Sequence, residues 1–369
     1  MVTGRAAPRI GQVATSVYEI PTDGPEADGT LAWSSTTLVL VQVSAGGQVG
    51  TGYTYAAGAC AGIVDGPLAA ALAGRDAFDV PGSWEAMVRA IRNLGRPGLA
   101  SCAISAVDTA LWDLKARLLG VSLSRLLGRA HEAVPIYGSG GFTTYDDHRT
   151  RAQLDHWVHA LGIPRVKIKI GESRGERVAR DLHRVALARA AIGETAELYV
   201  DANGAYGRKQ AIRVGRALAG ERATWFEEPV SSDDHAGLAL VRDRVDVDVA
   251  AGEYGYDLAY FRPLVDVVDC VQIDVTRCGG ITEWLRIAAL AAAHNLQVSG
   301  HCAPQLHAHV AAAAVNLRHL EYFHDHVRIE ALLFDGVLEP RGGALVPDQG
   351  RAGNGLELRS ADAERFRTG

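Results

Sequence analysis

The sequence predicts an α/β protein: a modified (β/α)8 barrel with an α+β domain that caps it. Three observations lead to this fold class. From about residue 134, short β-rich segments alternate with longer helical ones. The residues before that point combine a hairpin pattern with helices instead. Ionisable residues recur where the β-rich segments end, which is where barrel enzymes carry their active sites.

Eight β-rich segments define the barrel. The stretches between them, such as residues 176–192 and 280–294, place apolar residues at helical spacing. Eight such alternations predict a closed parallel barrel. The alternative is an open doubly wound sheet, but residues 138–141 lack the phosphate-loop pattern that usually follows its first strand. The predicted strands are residues 134–137, 165–170, 197–200, 224–226, 247–250, 270–273, 297–299 and 320–322.

The chain before the barrel is predicted to form a separate α+β domain. Residues 36–43 and 48–55 indicate two strands joined by a glycine turn, and residues 102–119 indicate an amphipathic helix. The glycine-rich residues 342–359 are expected to fold back onto this domain. We therefore expect three regions: an α+β capping domain in residues 1–131, the barrel in residues 132–340, and a C-terminal segment in residues 341–369.

The bulk composition excludes several classes of partner. The 369 residues carry 37 basic and 43 acidic side chains, a formal net charge of −6, and the basic residues are scattered, so we expect no nucleic acid partner. No apolar stretch is long enough to span a bilayer, so no membrane partner is expected. Five cysteines without a CxxC pair argue against disulfides or a zinc site, and together with a polar start they indicate a cytoplasmic protein.

Three carboxylates at equivalent strand ends predict a metal site. Asp201, Glu227 and Glu253 end the third, fourth and fifth strands, with 26 residues, one βα unit, between successive members. Converging carboxylates need a compensating cation to stay ionised. An all-oxygen ligand set suits Mg²⁺, with Mn²⁺ as the alternative. Such a metal would acidify the α-hydrogen of a bound carboxylate by stabilising an enediolate.

Two groups of catalytic residues flank the predicted metal site. Lys167 and Lys169 share one face of the second strand, and the cationic neighbour is expected to lower the pKa of Lys169. His301 ends the seventh strand, and Asp274, 27 residues earlier, is expected to fix its tautomer. The two bases then lie on opposite sides of the pocket. Glu321 on the eighth strand would donate to a substrate carboxylate or hold a lysine or histidine by charge.

Other residues are assigned to the substrate pocket. Asn203 shares a strand face with Asp201, so we expect it to line the pocket. Tyr53 and Tyr55, on the predicted cap hairpin, are expected to contact substrate, with packing inside the cap as the alternative. One of His324 and His326 is also expected to approach the site.

Two neighbours of the predicted site residues are expected to face away from the pocket. Glu228 follows Glu227, and strand alternation predicts that it points outward and forms a structural ion pair. Cys302 follows His301 and is expected on the opposite side for the same reason.

These residues together resemble the enolase superfamily, specifically its mandelate racemase subgroup. The resemblance covers nearly the whole chain and includes Lys-x-Lys, the three carboxylates, the Asp–His pair and the Ala-Leu-Trp-Asp stretch of the cap helix at residues 110–113. It implies cap loops, here residues 21–33 and 52–60, that close the site and select substrate. It also implies a homo-oligomer, from dimer to octamer. The hairpin at residues 50–55 and the tail at residues 351–355 depart from the family pattern.

The expected function is Mg²⁺-dependent removal of the α-proton of a small carboxylate through an enediolate. The resemblance favours dehydration of a sugar acid to a 2-keto-3-deoxy acid, in which protonated His301 expels the β-hydroxyl as water. A racemase or epimerase of a 2-hydroxy acid and a sugar-lactone cycloisomerase share the first step and stay open. A non-catalytic binding barrel is a further class, but ligand binding alone would not require two bases.

Overall fold

The computed structural model describes residues 7–369. Residues 1–6, which belong to the expected capping domain and to the polar start, lie outside the described residues. The described cap opens with an antiparallel sheet of β1 (Val13–Ala27), β2 (Ala32–Ala45) and β3 (Gln48–Tyr55). Its helices are α1 (Cys60–Ile63), α2 (Ala69–Leu72), α3 (Val80–Ala90), α4 (Leu99–Leu119) and α5 (Leu123–Leu127).

The hairpin of β1 and β2 corrects one expectation. We expected residues 21–33 to be a loop, but β1 and β2 stay paired out to Ala27 and Ala32, with a register break between Pro21 and Glu26. The segment contains Pro21 and Pro25, and a proline has no N–H group to donate to a neighbouring strand. Such residues argue against a strand in the sequence, and they coincide with the register break. The outcome is a long arm whose end reaches the mouth of the barrel.

Eight parallel strands form the barrel and confirm the predicted fold class. Each strand pairs with the next along the chain, and the last pairs in parallel with the first, so the ring is closed. This closure excludes the open-sheet alternative. The strands are β4 (Val134–Gly140), β5 (Arg165–Lys169), β6 (Glu197–Asp201), β7 (Ala223–Glu227), β8 (Asp248–Ala251), β9 (Cys270–Ile273), β10 (Gln297–Gly300) and β11 (Leu317–Phe323).

Helices surround the barrel, and the C-terminal segment returns to both parts. The barrel helices are α6 (Asp147–Asp155), α7 (Glu172–Gly175), α8 (Val178–Ile192), α9 (Arg208–Leu218), α10 (His235–Arg242), α11 (Leu258–Leu264), α12 (Gly280–Ala293), α13 (Pro304–Ala311) and α14 (His324–Leu333). The remaining elements are β12 (Phe334–Asp335), β13 (Ala344–Leu345), β14 (Glu357–Leu358) and α15 (Ser360–Ala363). Across residues 7–369, no helix has the length and apolar character needed to cross a membrane.

Buried Asp113 on α4 joins the tail to the cap. Its two carboxylate oxygens accept hydrogen bonds from the backbone N–H groups of Thr51 at 2.8 Å and Asn354 at 2.6 Å. At the chain end, the carbonyl of Gly369 accepts from the N–H of Val17. These contacts support the division that we propose, with boundaries after residues 131 and 340.

Tyr53 lies inside the protein, and its predicted role in substrate binding is wrong. It is fully buried, its ring stacks on Phe334 at 5.4 Å between centroids, and its hydroxyl donates to Glu330 Oε1 at 2.5 Å. The cap sheet packs this face of β3 against α14, so the side chain fills the junction between cap and barrel. Tyr53 therefore packs inside the protein, which is the alternative given for it above.

The buried Glu330 carboxyl predicts a pH-dependent stability. Burial raises the pKa of Glu330 from 4.5 to about 8. A carboxyl whose pKa is higher in the folded state stabilises the fold at low pH, and this contribution falls by about 1.4 kcal/mol per pH unit as the pH rises toward 8. Glu330→Gln should therefore flatten the decline in the free energy of unfolding between about pH 5 and pH 8, measured by urea denaturation.

The exposed Glu339 provides the control for this experiment. Glu339→Gln removes a similar carboxyl without burial, so its pH profile should follow the wild-type profile. If Glu330→Gln also follows the wild-type profile, the buried carboxyl does not carry the proposed linkage.

Candidate active site

Three carboxylates meet at the C-terminal mouth of the barrel. Asp201 and Glu227 end adjacent strands, β6 and β7, in register with each other, and Glu253 lies just past β8. One oxygen from each lies within 4.8 Å of the others, and all three side chains are buried. Glu253 Oε2 has no hydrogen-bond partner among the described residues. A compact set of hard oxygen donors with one unpaired atom fits a divalent cation such as Mg²⁺.

The two lysines of β5 bind different members of this carboxylate group. Lys167 is fully buried, and its Nζ lies 2.6 Å from Glu227 Oε1 and 2.8 Å from Glu321 Oε1. Lys169 lies two residues further along β5, on the same face, and lines a cavity at the barrel mouth. Its Nζ lies 2.5 Å from Asp201 Oδ2. Lys167 therefore anchors the base of the site, whereas Lys169 faces the space where a ligand would lie.

The pKa of Lys169 is raised, although Lys167 lowers it as expected. Burial, the largest single effect, opposes the charged ammonium, as does the charge of Lys167. The carboxylates of Asp201, Glu253 and Glu321 together outweigh both effects and raise the pKa. Burial also opposes the ionised form of Asp201, but Lys169 and Lys167 together with its hydrogen bonds lower its pKa. Burial and the charge of Asp201 raise the pKa of Glu227 to about 8, which shows how closely the carboxylates are packed.

His301 and Asp274 form a hydrogen-bonded pair at the ends of β10 and β9. His301 Nδ1 lies 2.8 Å from Asp274 Oδ2. Burial alone would raise the pKa of Asp274, but the hydrogen bond from His301 and the charges of Arg277 and His301 together lower it. The carboxylate is therefore ionised and can only accept hydrogen bonds. The Nδ1 atom therefore carries the proton, and Nε2 faces the cavity. Burial disfavours the charged imidazole, but Glu253, Glu321 and Asp274 together raise the pKa of His301.

Glu321 is an acceptor in every contact that it makes. Its Oε1 accepts from Ser139 Oγ at 2.6 Å and lies beside Lys167, while its Oε2 accepts from the N–H of Cys302 at 3.0 Å. Burial alone would raise the pKa of Glu321, but Lys167 and His301 hold it well below the usual range. Of the two expected roles, donation to a substrate carboxylate does not fit this environment, whereas holding the lysine by charge does.

Two residues that were expected to face away turn toward the site instead. Glu228 is buried beside Glu253, its Oε1 has no hydrogen-bond partner among the described residues, and no ion pair forms there. The Sγ of Cys302 lies 3.3 Å from His301 Nε2. Both residues have left-handed backbone, with φ of 38° and 53°, which breaks the alternation on which the expectation relied.

A cavity of about 440 Å³ connects these groups to the cap. Asn203 and Tyr55 line it as expected, and of the two candidate histidines His326 lines it, stacked on Tyr55 at 3.4 Å between centroids. His324 instead pairs with Asp23 on the hairpin arm. The barrel side of the cavity is formed by Lys169, Asn203, Glu253, Tyr254, Arg277, His301, Cys302, Phe323 and His326, and the cap side by Asp28, Leu31, Trp33, Ser35, Thr36, Thr37, Tyr55, Ala56 and Ala57.

Arg277 is a site residue that sequence analysis missed. Its guanidinium lies 3.4 Å from Asp274 and 3.7 Å from Glu253 Oε1, so it links the Asp–His pair to the carboxylate group. The usable signal was its position three residues after Asp274, in a loop that begins at the C-terminal end of a barrel strand.

A barrel whose mouth holds a carboxylate triad between a lysine and a His–Asp pair defines a metal-dependent enzyme that handles α-protons. Residues 149–363 match the enolase C-terminal domain-like family, and residues 15–128 match the mandelate racemase / muconate lactonizing enzyme N-terminal domain. The chain therefore belongs to the enolase superfamily, in its mandelate racemase subgroup.

Individual relatives cover almost the whole chain. A mandelate racemase/muconate lactonizing enzyme-like protein from Rubrobacter xylanophilus is 51% identical, with a TM-score of 0.95 and coverage of 98% of this chain and 100% of that one. L-Talarate dehydratase from Polaromonas, complexed with Mg and L-glucarate, is 30% identical with a TM-score of 0.87, and covers 98% of each. The 3,6-anhydro-alpha-L-galactonate cycloisomerase of Streptomyces coelicolor is 32% identical over 97% of this chain and 98% of its own.

The carboxylate triad predicts how the protein binds Mg²⁺. Asp201→Asn and Glu253→Gln should each weaken Mg²⁺ binding by at least about tenfold, because each removes an anionic oxygen from the ligand set. Isothermal calorimetry measures the affinity, and the Mg²⁺-induced rise in the melting temperature measures it independently. Asp28→Asn changes a carboxylate on the cap side of the same cavity and should leave Mg²⁺ affinity unchanged. Equal affinities in all four proteins would contradict the assignment.

Proposed function

We propose that this protein catalyses Mg²⁺-dependent abstraction of the α-proton of a sugar acid and its dehydration to a 2-keto-3-deoxy acid. The observation that carries the proposal is the shared cavity. It is lined by Lys169 from β5, by His301 from β10 and by Glu253 of the carboxylate group. The two strands are three steps apart one way around the ring of eight and five steps the other way, so their bases approach a ligand from different sides.

The proposed chemistry divides the work between these residues. Magnesium, held by Asp201, Glu227 and Glu253, would supply positive charge that acidifies the α-hydrogen and takes up the charge of Asp201, which otherwise keeps Lys169 protonated. Lys169 Nζ then takes the α-proton. On the other side, His301 Nε2 gives a proton to the β-hydroxyl, which leaves as water, and Asp274 holds the imidazolium in the required orientation. The enol product tautomerises to the 2-keto acid.

Supporting roles follow from position. We propose that Lys167 and Glu321 fix the charges beneath the reaction centre, since both are fully buried and bonded to each other. Asn203 and Tyr55 would contact the substrate, because each projects a side chain into the cavity wall. Asn203 Oδ1 has no hydrogen-bond partner among the described residues, so a substrate hydroxyl can donate to it.

Two other reactions use the same first step. If His301 returned a proton to the opposite face of the α-carbon, the enzyme would be a racemase or epimerase. If instead a ring C–O bond broke, it would be a lactone cycloisomerase. Dehydratases, cycloisomerases and a dipeptide epimerase all occur among the relatives. We favour dehydration because dehydratases of several different sugar acids recur among them.

The cap side of the cavity supports a substrate with one carboxylate. It presents hydroxyls from Ser35, Thr36 and Thr37, the ring of Trp33, and a single charged group, the carboxylate of Asp28. Among residues 7–369, neither lysine nor arginine lines this wall, and Arg277 on the barrel side is held by Asp274 and Glu253. A second substrate carboxylate would meet no cation there, so we propose an aldonic acid rather than an aldaric diacid as substrate.

We also propose that the enzyme is cytoplasmic and forms a homo-oligomer between dimer and octamer. All five cysteines are unpaired, which supports a reducing compartment. The oligomeric state is carried over from the family resemblance.

A panel of acid sugars tests the reaction class. Matched aldonic and aldaric acids and their lactones would be incubated with the enzyme and Mg²⁺, with 2-keto acids measured by a chromogenic assay and C2 deuteration by NMR in D₂O. We expect 2-keto product from an aldonic acid, with the matched diacid slower. Product from diacids alone would contradict the single-carboxylate proposal. Deuterium at C2 of unchanged acid, or loss of lactone without a 2-keto acid, would replace dehydration with one of the two alternatives.

Single variants test the two proposed bases. Lys169→Ala and His301→Asn should each lower kcat by about 10²- to 10⁴-fold, the usual contribution of a positioned acid or base, while Mg²⁺ binding by calorimetry is retained. Lys209→Ala and His159→Asn replace exposed residues of the same types and should keep full activity. Full activity of His301→Asn would overturn the role of the His–Asp pair.

A further inference from the structure

We propose that His301, Cys302 and Glu321 form a second cation site in the mouth of the barrel, one that takes Zn²⁺ or another thiophilic divalent ion rather than Mg²⁺. No sequence pattern predicts this site, since no two cysteines form a CxxC pair. The site becomes visible only when the fold brings Glu321 of β11 beside the end of β10. It lies next to the carboxylate triad but shares none of its three residues.

The distances between the three donor atoms match tetrahedral ligation. Cys302 Sγ lies 3.3 Å from His301 Nε2 and 3.3 Å from Glu321 Oε2, and Nε2 lies 3.6 Å from Oε2. Zinc bonds of about 2.3 Å to sulfur and about 2.0–2.2 Å to nitrogen and oxygen put tetrahedral ligand atoms roughly 3.4–3.6 Å apart. The three donors therefore need to move by only a few tenths of an ångström.

The surrounding contacts hold the donors in place and aim them at one point. The Nδ1 atom of His301 is bound to Asp274, which leaves Nε2 free for a metal. The Oε1 atom of Glu321 accepts from Ser139 Oγ and pairs with Lys167 Nζ, so its Oε2 atom lies on the side of the thiol. The charge of Lys167 opposes a cation here, but Glu321 offsets it at 2.8 Å.

The backbone at Cys302 explains how its thiol reaches the other two donors, whose ligand atoms all lie within 4.8 Å of one another. Cys302 and Ala303 both have left-handed φ, 53° and 39°, a conformation that residues other than glycine rarely adopt. This conformation turns the thiol toward Nε2 instead of the opposite face.

Binding has a defined proton balance and consequence. The thiol of Cys302 loses its proton to solvent as the metal–sulfur bond forms, and no electron transfer is involved. The ion would occupy His301 Nε2, the atom that gives its proton to the leaving hydroxyl, so Zn²⁺ should inhibit turnover. This consequence rests on the proposed function, but binding itself does not.

Cobalt provides the test, because a Co²⁺–thiolate bond gives a charge-transfer absorption in the near ultraviolet that oxygen ligands do not give. Co²⁺ is titrated into the full-length enzyme in excess Mg²⁺, without substrate, and then displaced by Zn²⁺. We expect a thiolate band that saturates at one equivalent and disappears on addition of Zn²⁺. Cys302→Ser should abolish the band and weaken Zn²⁺ binding by about a hundredfold or more, since even loss of an outer-shell partner costs roughly 10- to 100-fold.

Cys60→Ser is the matched control, since Cys60 is a buried cysteine of the cap whose Sγ contacts the carbonyl of Leu99. It should keep the band and the Zn²⁺ affinity. If Cys302→Ser fails to fold, the wild-type enzyme gives the same answer: Zn²⁺ should protect Cys302 from alkylation, mapped by peptide mass spectrometry, in the presence of Mg²⁺. Absence of a thiolate band, its persistence in Cys302→Ser, or unprotected Cys302 would each overturn the site, whatever the enzyme proves to catalyse.

Discussion

The balance of buried charge at the mouth of the barrel is the constraint on which the rest of the structure depends. Six carboxylates there are at most 3% exposed: Asp201, Glu227, Glu228, Glu253, Asp274 and Glu321. Ionised groups in such surroundings are costly unless each is paired. Among the described residues, Lys167 and Lys169 offset only part of this charge, and a bound divalent cation would offset more. The same buried carboxylates therefore explain why the site needs a cation and how it could acidify a substrate.

The fold separates the tasks by depth. Lys167 and Glu321 form a buried ion pair, and neither side chain lines the cavity. Above them, Lys169 and His301 come from strands on different sides of the ring, so each can approach its own face of a ligand. The cap supplies the outer wall through its long hairpin arm and through Tyr55. In our proposal the barrel therefore carries the chemistry, and the cap, which lines the outer wall of the cavity, selects the substrate.

Sequence analysis could predict what depends on regular structure. The eight strands, their ends and the residues placed there by a 26-residue repeat follow from alternation and from the geometry of a closed ring. The orientation of residues just beyond the strand ends could not be predicted in this way, because Glu228 and Cys302 adopt left-handed backbone and turn back toward the pocket. The raised pKa of Lys169 was also missed, since spacing shows which charges are near but not that Asp201 lies at 2.5 Å. Strand β1 was hidden by its prolines.

In the proposed complex, the α-carbon of the ligand lies between Lys169 and His301 while its carboxylate meets the ion held by Asp201, Glu227 and Glu253. A crystal structure with Mg²⁺ and a non-reactive hydroxamate analogue of the substrate measures this directly. We expect the ion among those three carboxylates, and the α-carbon within reach of Lys169 Nζ on one face and of His301 Nε2 on the other. An ion bound elsewhere, or an α-carbon that neither base can reach, would contradict it.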